Sequence, residues 1–214
     1  MNLGTLRDRA RALSGIRLQS LRSDEQVDLV LNESYLEVAT LAQWPFLRGS
    51  AQVALTSGVD SFETPIGFSE VTGISYSTSS GDSLRLQPST IDEIDRLKDE
   101  NGEPVLYARV DEKEFIVWPT PDSSITLNIR GKKSVEPLRR DSDNPIFEEQ
   151  FHPMIAYRAA ARMLAEEGDD SGRSEFYQNE ANIFYGRMQQ FYLRTGDVGM
   201  FVMGGRRRRY ADGR

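Results

Sequence analysis

Residues 23–56 read SDEQVDLVLNESYLEVATLAQWPFLRGSAQVALT, and one structural period replaces another inside them. Ser23 followed by Gln26 forms a capping box at the head of a helix. Val27, Leu31, Val38 and Leu41 then keep one apolar face over about five turns. Trp44-Pro45 closes that helix, because proline forces the preceding residue out of helical geometry. Trp44 and Phe46 bring enough apolar surface to anchor the crossing. Beyond it, Gln52-Val53-Ala54-Leu55-Thr56 alternates as a strand does.

Upstream, Leu3, Leu6, Ala10 and Leu13 recur at helical spacing among arginines, which predicts a short amphipathic helix ending near Ser14-Gly15. Downstream, alternation and β-branched residues persist to about residue 145, with Ser123 to Ile129 a second clear strand. Gly58, Gly67, Gly81, Asn101-Gly102 and Asp111-Glu112 fall at hairpin spacing between such segments, so an antiparallel β region is expected. Ser89-Thr90 before Ile91, Asp92 and Glu93 predicts one short helix within it, reaching about Lys98. Pro119 and Pro121 suit a strand end or edge, since proline donates no ladder hydrogen bond.

Helical periodicity returns after Pro145, a residue suited to a helix start. Phe151, Ile155, Ala159 and Met163 share a face, and Ala159-Ala160-Ala161 permits close helix approach. Glu166 to Asp170 reads as a loop. Tyr177, Ala181, Phe184, Met188 and Phe191 then form the packing seam of a long last helix. The expected fold is α+β: a helical bundle formed by N- and C-terminal helices with an inserted antiparallel β domain and an extended C-terminal tail. The expected bounds are 1–48 and 146–195 for the bundle, 49–145 for the insertion and 196–214 for the tail.

Composition narrows the chemistry. The 214 residues carry no cysteine, which removes disulfides, thiolate nucleophiles and sulfur-rich zinc sites. No signal-peptide pattern and no run near the ~20 apolar residues of a membrane span is visible, so a soluble protein without membrane contact is expected. A formal charge of -7 argues against a body that grips DNA by its phosphates. The single histidine, His152, sits between Phe151 and Pro153, where capping or packing is expected rather than catalysis. Neither a nucleophile elbow nor a phosphate-binding loop occurs. Asp141-Ser142-Asp143-Asn144 begins like a calcium loop, but Ile146 and His152 stand where glycine and glutamate are needed. With 33 Asp and Glu residues some carboxylate pair is always available, which is no positive sign of glycoside cleavage. No enzyme activity, cofactor or metal is therefore expected.

One charge run stands apart. Arg206, Arg207, Arg208 and Arg209 oppose an acidic body, and Met200, Phe201, Val202 and Met203 form an apolar plug between glycines just before them, with Tyr210 just after. A segment docking in a protein groove needs both parts. DNA contact and a merely solvated end are the other readings.

Several motifs, in this order, resemble the tailed-bacteriophage head-to-tail adaptor family, also called head-completion, tail tubular or gatekeeper proteins. They are Trp44-Pro45-Phe46, Gly102-Glu103-Pro104 with Tyr107, and Trp118-Pro119-Thr120-Pro121-Asp122, followed by Pro137-Leu138, Asp141 to Pro145, and Glu149 to Phe151-His152. The resemblance implies a virion protein of the head-tail junction, assembled in the host cytoplasm as a ring, commonly of 12 copies. Its partners would be the portal protein, reached by the C-terminal segment, and a downstream tail or nozzle protein, with double-stranded DNA passing through the lumen. An acidic lumen would let that DNA slide. Another virion component, a tail terminator or minor tail protein, is the alternative; a tail-associated cell-wall hydrolase is a third.

Overall fold

The computed structural model describes residues 1–15, 23–78, 81–97, 99–167 and 171–193. The chain divides into two compact units, one of Met1–Pro45 with Pro137–Arg214 and one of Phe46–Glu136. The fold is α+β.

In the helical unit, α1 (Leu3–Ser14) is capped by the Asn2 side chain, which accepts from the Thr5 N–H, and ends at Gly15 with φ 74°. Glycine reaches that left-handed geometry without the Cβ penalty. The capping box of α2 (Asp24–Thr40) is present, with Ser23 and Gln26 exchanging hydrogen bonds. Val27, Leu31 and Val38 are buried as expected, but Leu41, the C-cap residue whose N–H still donates to the Glu37 carbonyl, is 49% exposed. Trp44 is buried, and its indole Nε1 donates to the Val38 carbonyl at 2.9 Å, taking up one of the acceptors a helix end leaves open. Its ring meets Tyr185 and Tyr192 edge-on.

α4 (Pro153–Glu167) begins eight residues later than Pro145 suggested; Pro145 is instead a buried residue of an irregular stretch. Phe151, Ile155, Ala159 and Met163 are all buried. Glu166 and Glu167 lie within α4 rather than in a loop, and residues 168–170 fall outside the described set. α5 (Ser171–Leu193) buries Ala181 and Met188. Tyr177 and Phe184 are half-buried against Tyr157, and Phe191 is 49% exposed while its ring edge meets Phe151.

Residues 137–145, expected with the strands, lie in the helical unit, and the reason is where their polar groups find partners. Leu138 exchanges both backbone hydrogen bonds with the Asn32 side chain at 2.7 and 2.9 Å. The carbonyls of Asp143 and Asp141 accept from Leu3 and Gly4, first-turn donors of α1 that have no partner within the helix. Tyr35 and Tyr192 hydroxyls accept from the Ile146 and Glu148 N–H groups. Asp143 accepts from the N–H groups of Arg140 and Arg139, which lowers its pKa, so the supposed calcium loop is a turn held by its own aspartate.

The 3% exposed His152 serves this stretch as a buried anchor. Nε2 donates to the Phe147 carbonyl at 2.8 Å, which leaves Nδ1 facing the Met1 ammonium and carbonyl, each at 2.9 Å. Burial lowers the pKa of this ring, so it folds neutral.

The β unit holds two four-stranded sheets and one two-stranded pairing among the described residues. The first sheet runs β1 (Arg48–Leu55), β10 (Ile125–Lys133), β3 (Phe68–Ser77), β4 (Ser83–Arg85) in spatial order. The second runs β2 (Ser61–Glu63), β8 (Glu114–Trp118), β7 (Leu106–Arg109), β5 (Gln87–Pro88). Pairing is antiparallel except for β5 with β7 and for β6 (Asn101–Gly102) with β9 (Thr120–Pro121), which are parallel pairs of two residues. Asn101-Gly102, expected as a turn, is thus a strand, because its backbone groups pair beside Thr120-Pro121. The short helix α3 (Ile91–Ile94) has its Thr90/Glu93 capping box but ends before the expected Lys98, a residue outside the described set. Gly58, Gly67 and Gly81 do sit in turns, with positive φ. The Trp118-Pro119 bond is cis.

Alternation sends Leu55, Ile74, Tyr76, Leu127 and Ile129 of the first sheet into one core with Phe62, Tyr107, Phe115 and Val117 of the second. Two residues of β3 have no partner on β10: Thr72, where the register jumps from Arg130↔Gly73 to Gly131↔Val71, and Ser69. Both are bulged, and each hydroxyl donates to a β10 carbonyl, Thr72 to Arg130 and Ser69 to Lys132. Gly131 sits against these bulges, where a Cβ would stand 2.2 Å from the Glu70 carbonyl oxygen.

Two predictions follow from these contacts. Gly131→Ala forces backbone apart in the sheet and is expected to cost about 1–3 kcal/mol by overpacking; a thermal midpoint equal to that of the parent would show that the bulge yields freely. For His152 the folded pKa is depressed, so its contribution is complete above the unfolded value near 6.5 and is lost as pH falls below it. Thermal stability is expected to fall between pH 7.5 and 5.5 by at most about 1.4 kcal/mol per pH unit from this group. His152→Gln should flatten that part of the profile, as measured by calorimetry across the series.

Candidate functional site

Several charged residues of the helical unit are engaged in pairs between its helices. Arg7 of α1 grips Asp28 of α2 with two hydrogen bonds, at 2.7 and 2.6 Å, and reaches Asp141 at 2.8 Å. The Asp28 hydrogen bonds, set against burial, raise its pKa and hold it cationic. Arg11 pairs with Asp24 at 2.6 Å. Arg158 and Arg162 of α4 both bind Glu37 of α2, and Arg162 also approaches Glu33 at 3.4 Å. These groups brace helix against helix. The exposed apolar residues of this unit tell a different story. Phe176 (57%), Ile183 (48%) and Phe191 (49%) recur seven and eight residues apart along one face of α5.

The sequence-derived docking residues Met200, Phe201, Val202, Met203, Arg206, Arg207, Arg208, Arg209 and Tyr210 all lie outside the described residues.

A site that the sequence did not disclose lies in the β unit. A cleft of about 760 Å³ is lined by Tyr76, Ser77 and Thr78, by Gly102, Glu103 and Pro104, by Pro121 to Thr126, and by Gln52 and Asn128. The β6–β9 pairing sets Gly102 opposite Pro121 and so brings the Glu103 and Asp122 stretches together. The loop before β2 fixes the second of these, through Gly58 N–H to the Pro121 carbonyl at 2.9 Å and the Ser57 hydroxyl to the Asp122 carbonyl at 2.8 Å. Gln52 donates to Asn128 at 3.0 Å on the floor of the cleft.

Ser34 and Tyr76 both bury a hydroxyl without a hydrogen-bond partner, and the one at this cleft is Tyr76. It is 1% exposed, its ring belongs to the core, and its hydroxyl has no hydrogen-bond partner. Burial raises its pKa, and the charges of Glu103 and Asp122 raise it further. An unpaired buried hydroxyl costs about 1–3 kcal/mol, so its place here is not explained by stability. Among the described residues neither Glu103 nor Asp122 has an ion pair. No group of three His, Cys, Asp or Glu residues able to hold a metal occurs among the described residues, and no helix of the model is long and apolar enough to cross a membrane.

Sequence reasoning quoted Gly102-Glu103-Pro104 and Pro121-Asp122 as parts of motifs without seeing that they converge. Nothing in their spacing gives the parallel pairing that joins them, and Tyr76 reads only as one more inward residue of an alternating strand.

No curated protein matches this chain. The family model described as SU10 adaptor protein matches residues 1–208, nearly the whole length and both units. A match of that extent fits the order of elements seen here, helices at both ends around an inserted β unit, and the chain belongs to the SU10 adaptor protein family of tailed-phage head-to-tail adaptors.

Proposed function

We propose that the protein is a non-enzymatic structural subunit that forms a ring beneath the portal, joins head to tail and leaves a central channel for DNA. The observation that carries this reading is the family match across residues 1–208. The matched span, residues 1–208, includes Met200 to Met203 and Arg206 to Arg208. In this reading that segment docks on the portal protein, and the β unit meets a downstream tail or nozzle protein.

Two physical features support association. The Phe176, Ile183 and Phe191 stripe leaves apolar surface on α5 uncovered, and a ring needs such surface at its subunit contacts. The formal charge of -7 suits a wall along which phosphates slide without being held. A ring of 12 copies is the expected stoichiometry.

The decisive experiment is the mass of the purified protein in solution, alone and with its portal ring. A chain that is monomeric alone and enters a complex only with the portal supports the reading. Removal of residues 196–214 is expected to leave the circular dichroism spectrum of the folded chain and to abolish portal binding, a loss of at least a hundredfold in affinity by sedimentation. Full binding by that truncation refutes the docking role of the segment.

A further inference from the structure

We propose that the cleft of the β unit receives an arginine side chain of a protein partner, with Glu103 and Asp122 as its charge partners and the Tyr76 hydroxyl as an additional acceptor. The inference rests on the reading that the β unit faces a downstream protein, and it names the chemistry of that contact.

The cleft is acidic, with two carboxylates free of ion pairs among the described residues. Behind them lies the Tyr76 hydroxyl, closed off from solvent and unpartnered. A cation with several donors bonds both carboxylates at once, and reaches the Tyr76 hydroxyl as the exposed side chains over it move aside. A guanidinium carries five N–H donors in a planar fork, whereas an ammonium is a compact point charge. Pro104 and Pro121, both buried, add rigid apolar walls to the cleft. A volume of about 760 Å³ exceeds one side chain, so a short stretch of peptide accompanies the arginine. Serine and threonine hydroxyls at the rim, Ser77 and Ser123 among them, can bond the backbone of that peptide. Two carboxylates without a third acidic or histidine ligand are a poor site for a divalent ion among the described residues.

The test uses the full-length protein, titrated by calorimetry with a blocked Gly-Arg-Gly peptide, its lysine counterpart, and calcium chloride. Saturable one-to-one binding of the arginine peptide is expected, at least threefold tighter than the lysine peptide. Glu103→Gln with Asp122→Asn should weaken it at least tenfold. Tyr76→Phe should weaken it severalfold without lowering the thermal midpoint, because the hydroxyl it removes has no partner in the free protein. No saturable binding, binding indifferent to the double variant, or calcium binding that excludes the peptide overturns the proposal. In particles, the double variant should still enter the portal complex but attach tails at least tenfold less often. Normal tail attachment by that variant overturns the assignment of a partner arginine. Failure of the adaptor reading shows separately, as absence of the unaltered protein from portal complexes.

Discussion

The segment from Leu138 to Glu148 is the element on which the helical unit depends. It is irregular chain running through a helical environment, where every buried N–H and C=O must find a partner or cost free energy. The partners come from the helices: Asn32 for Leu138, the first turn of α1 for Asp141 and Asp143, Tyr35 for Ile146, His152 for Phe147 and Tyr192 for Glu148. Each helix but α3 is thereby tied to one strip of backbone or to a neighbour that is. Since residues 46–136 intervene between the two halves of this unit, closing it carries a loop-entropy cost, and many specific bonds to one segment help to offset it.

The charged pairs add direction to that closure. Arg7 connects α1 to α2 and also to Asp141, so a single guanidinium joins three stretches of sequence. Glu37 gathers two arginines of α4. Partly exposed pairs of this kind contribute modestly to stability, but their geometry specifies which helix lies beside which. The β unit achieves the same end by register. Leu127 faces both Val53 and Tyr76, Ile129 faces both Ala51 and Ile74, and a slip by one residue would turn this whole set outward.

Local signals in the sequence carried the helix caps and the glycine turns. Capping at Ser23 and Thr90, the stop at Gly15 and the face of Phe151, Ile155, Ala159 and Met163 each depend on residues within a few positions of one another. What escaped was long-range pairing. Asn101-Gly102 has the composition of a turn and becomes a strand because of Thr120-Pro121. Pro145 has the look of a helix start, yet the chain around it is irregular, tied by Tyr35 and Asn32, far upstream. The cleft was invisible for the same reason. Its carboxylates are one residue past β6 and one past β9, and only the parallel pairing of those two-residue strands makes them neighbours.

Tyr76 separates what the fold requires from what it permits. As a core residue it needs only its ring, which packs with Leu127 and its neighbours as phenylalanine would. The hydroxyl adds a desolvated dipole with no internal partner, beside two carboxylates that the rest of the chain leaves unpaired. Elsewhere in this protein buried phenols are put to work, as at Tyr35, and surplus carboxylates are matched, as at Asp28 and Glu37. Ser34 also buries a hydroxyl without a partner, but Tyr76 is the one that lines a cleft beside unpaired carboxylates, and the proposed arginine supplies there the donors that the chain does not.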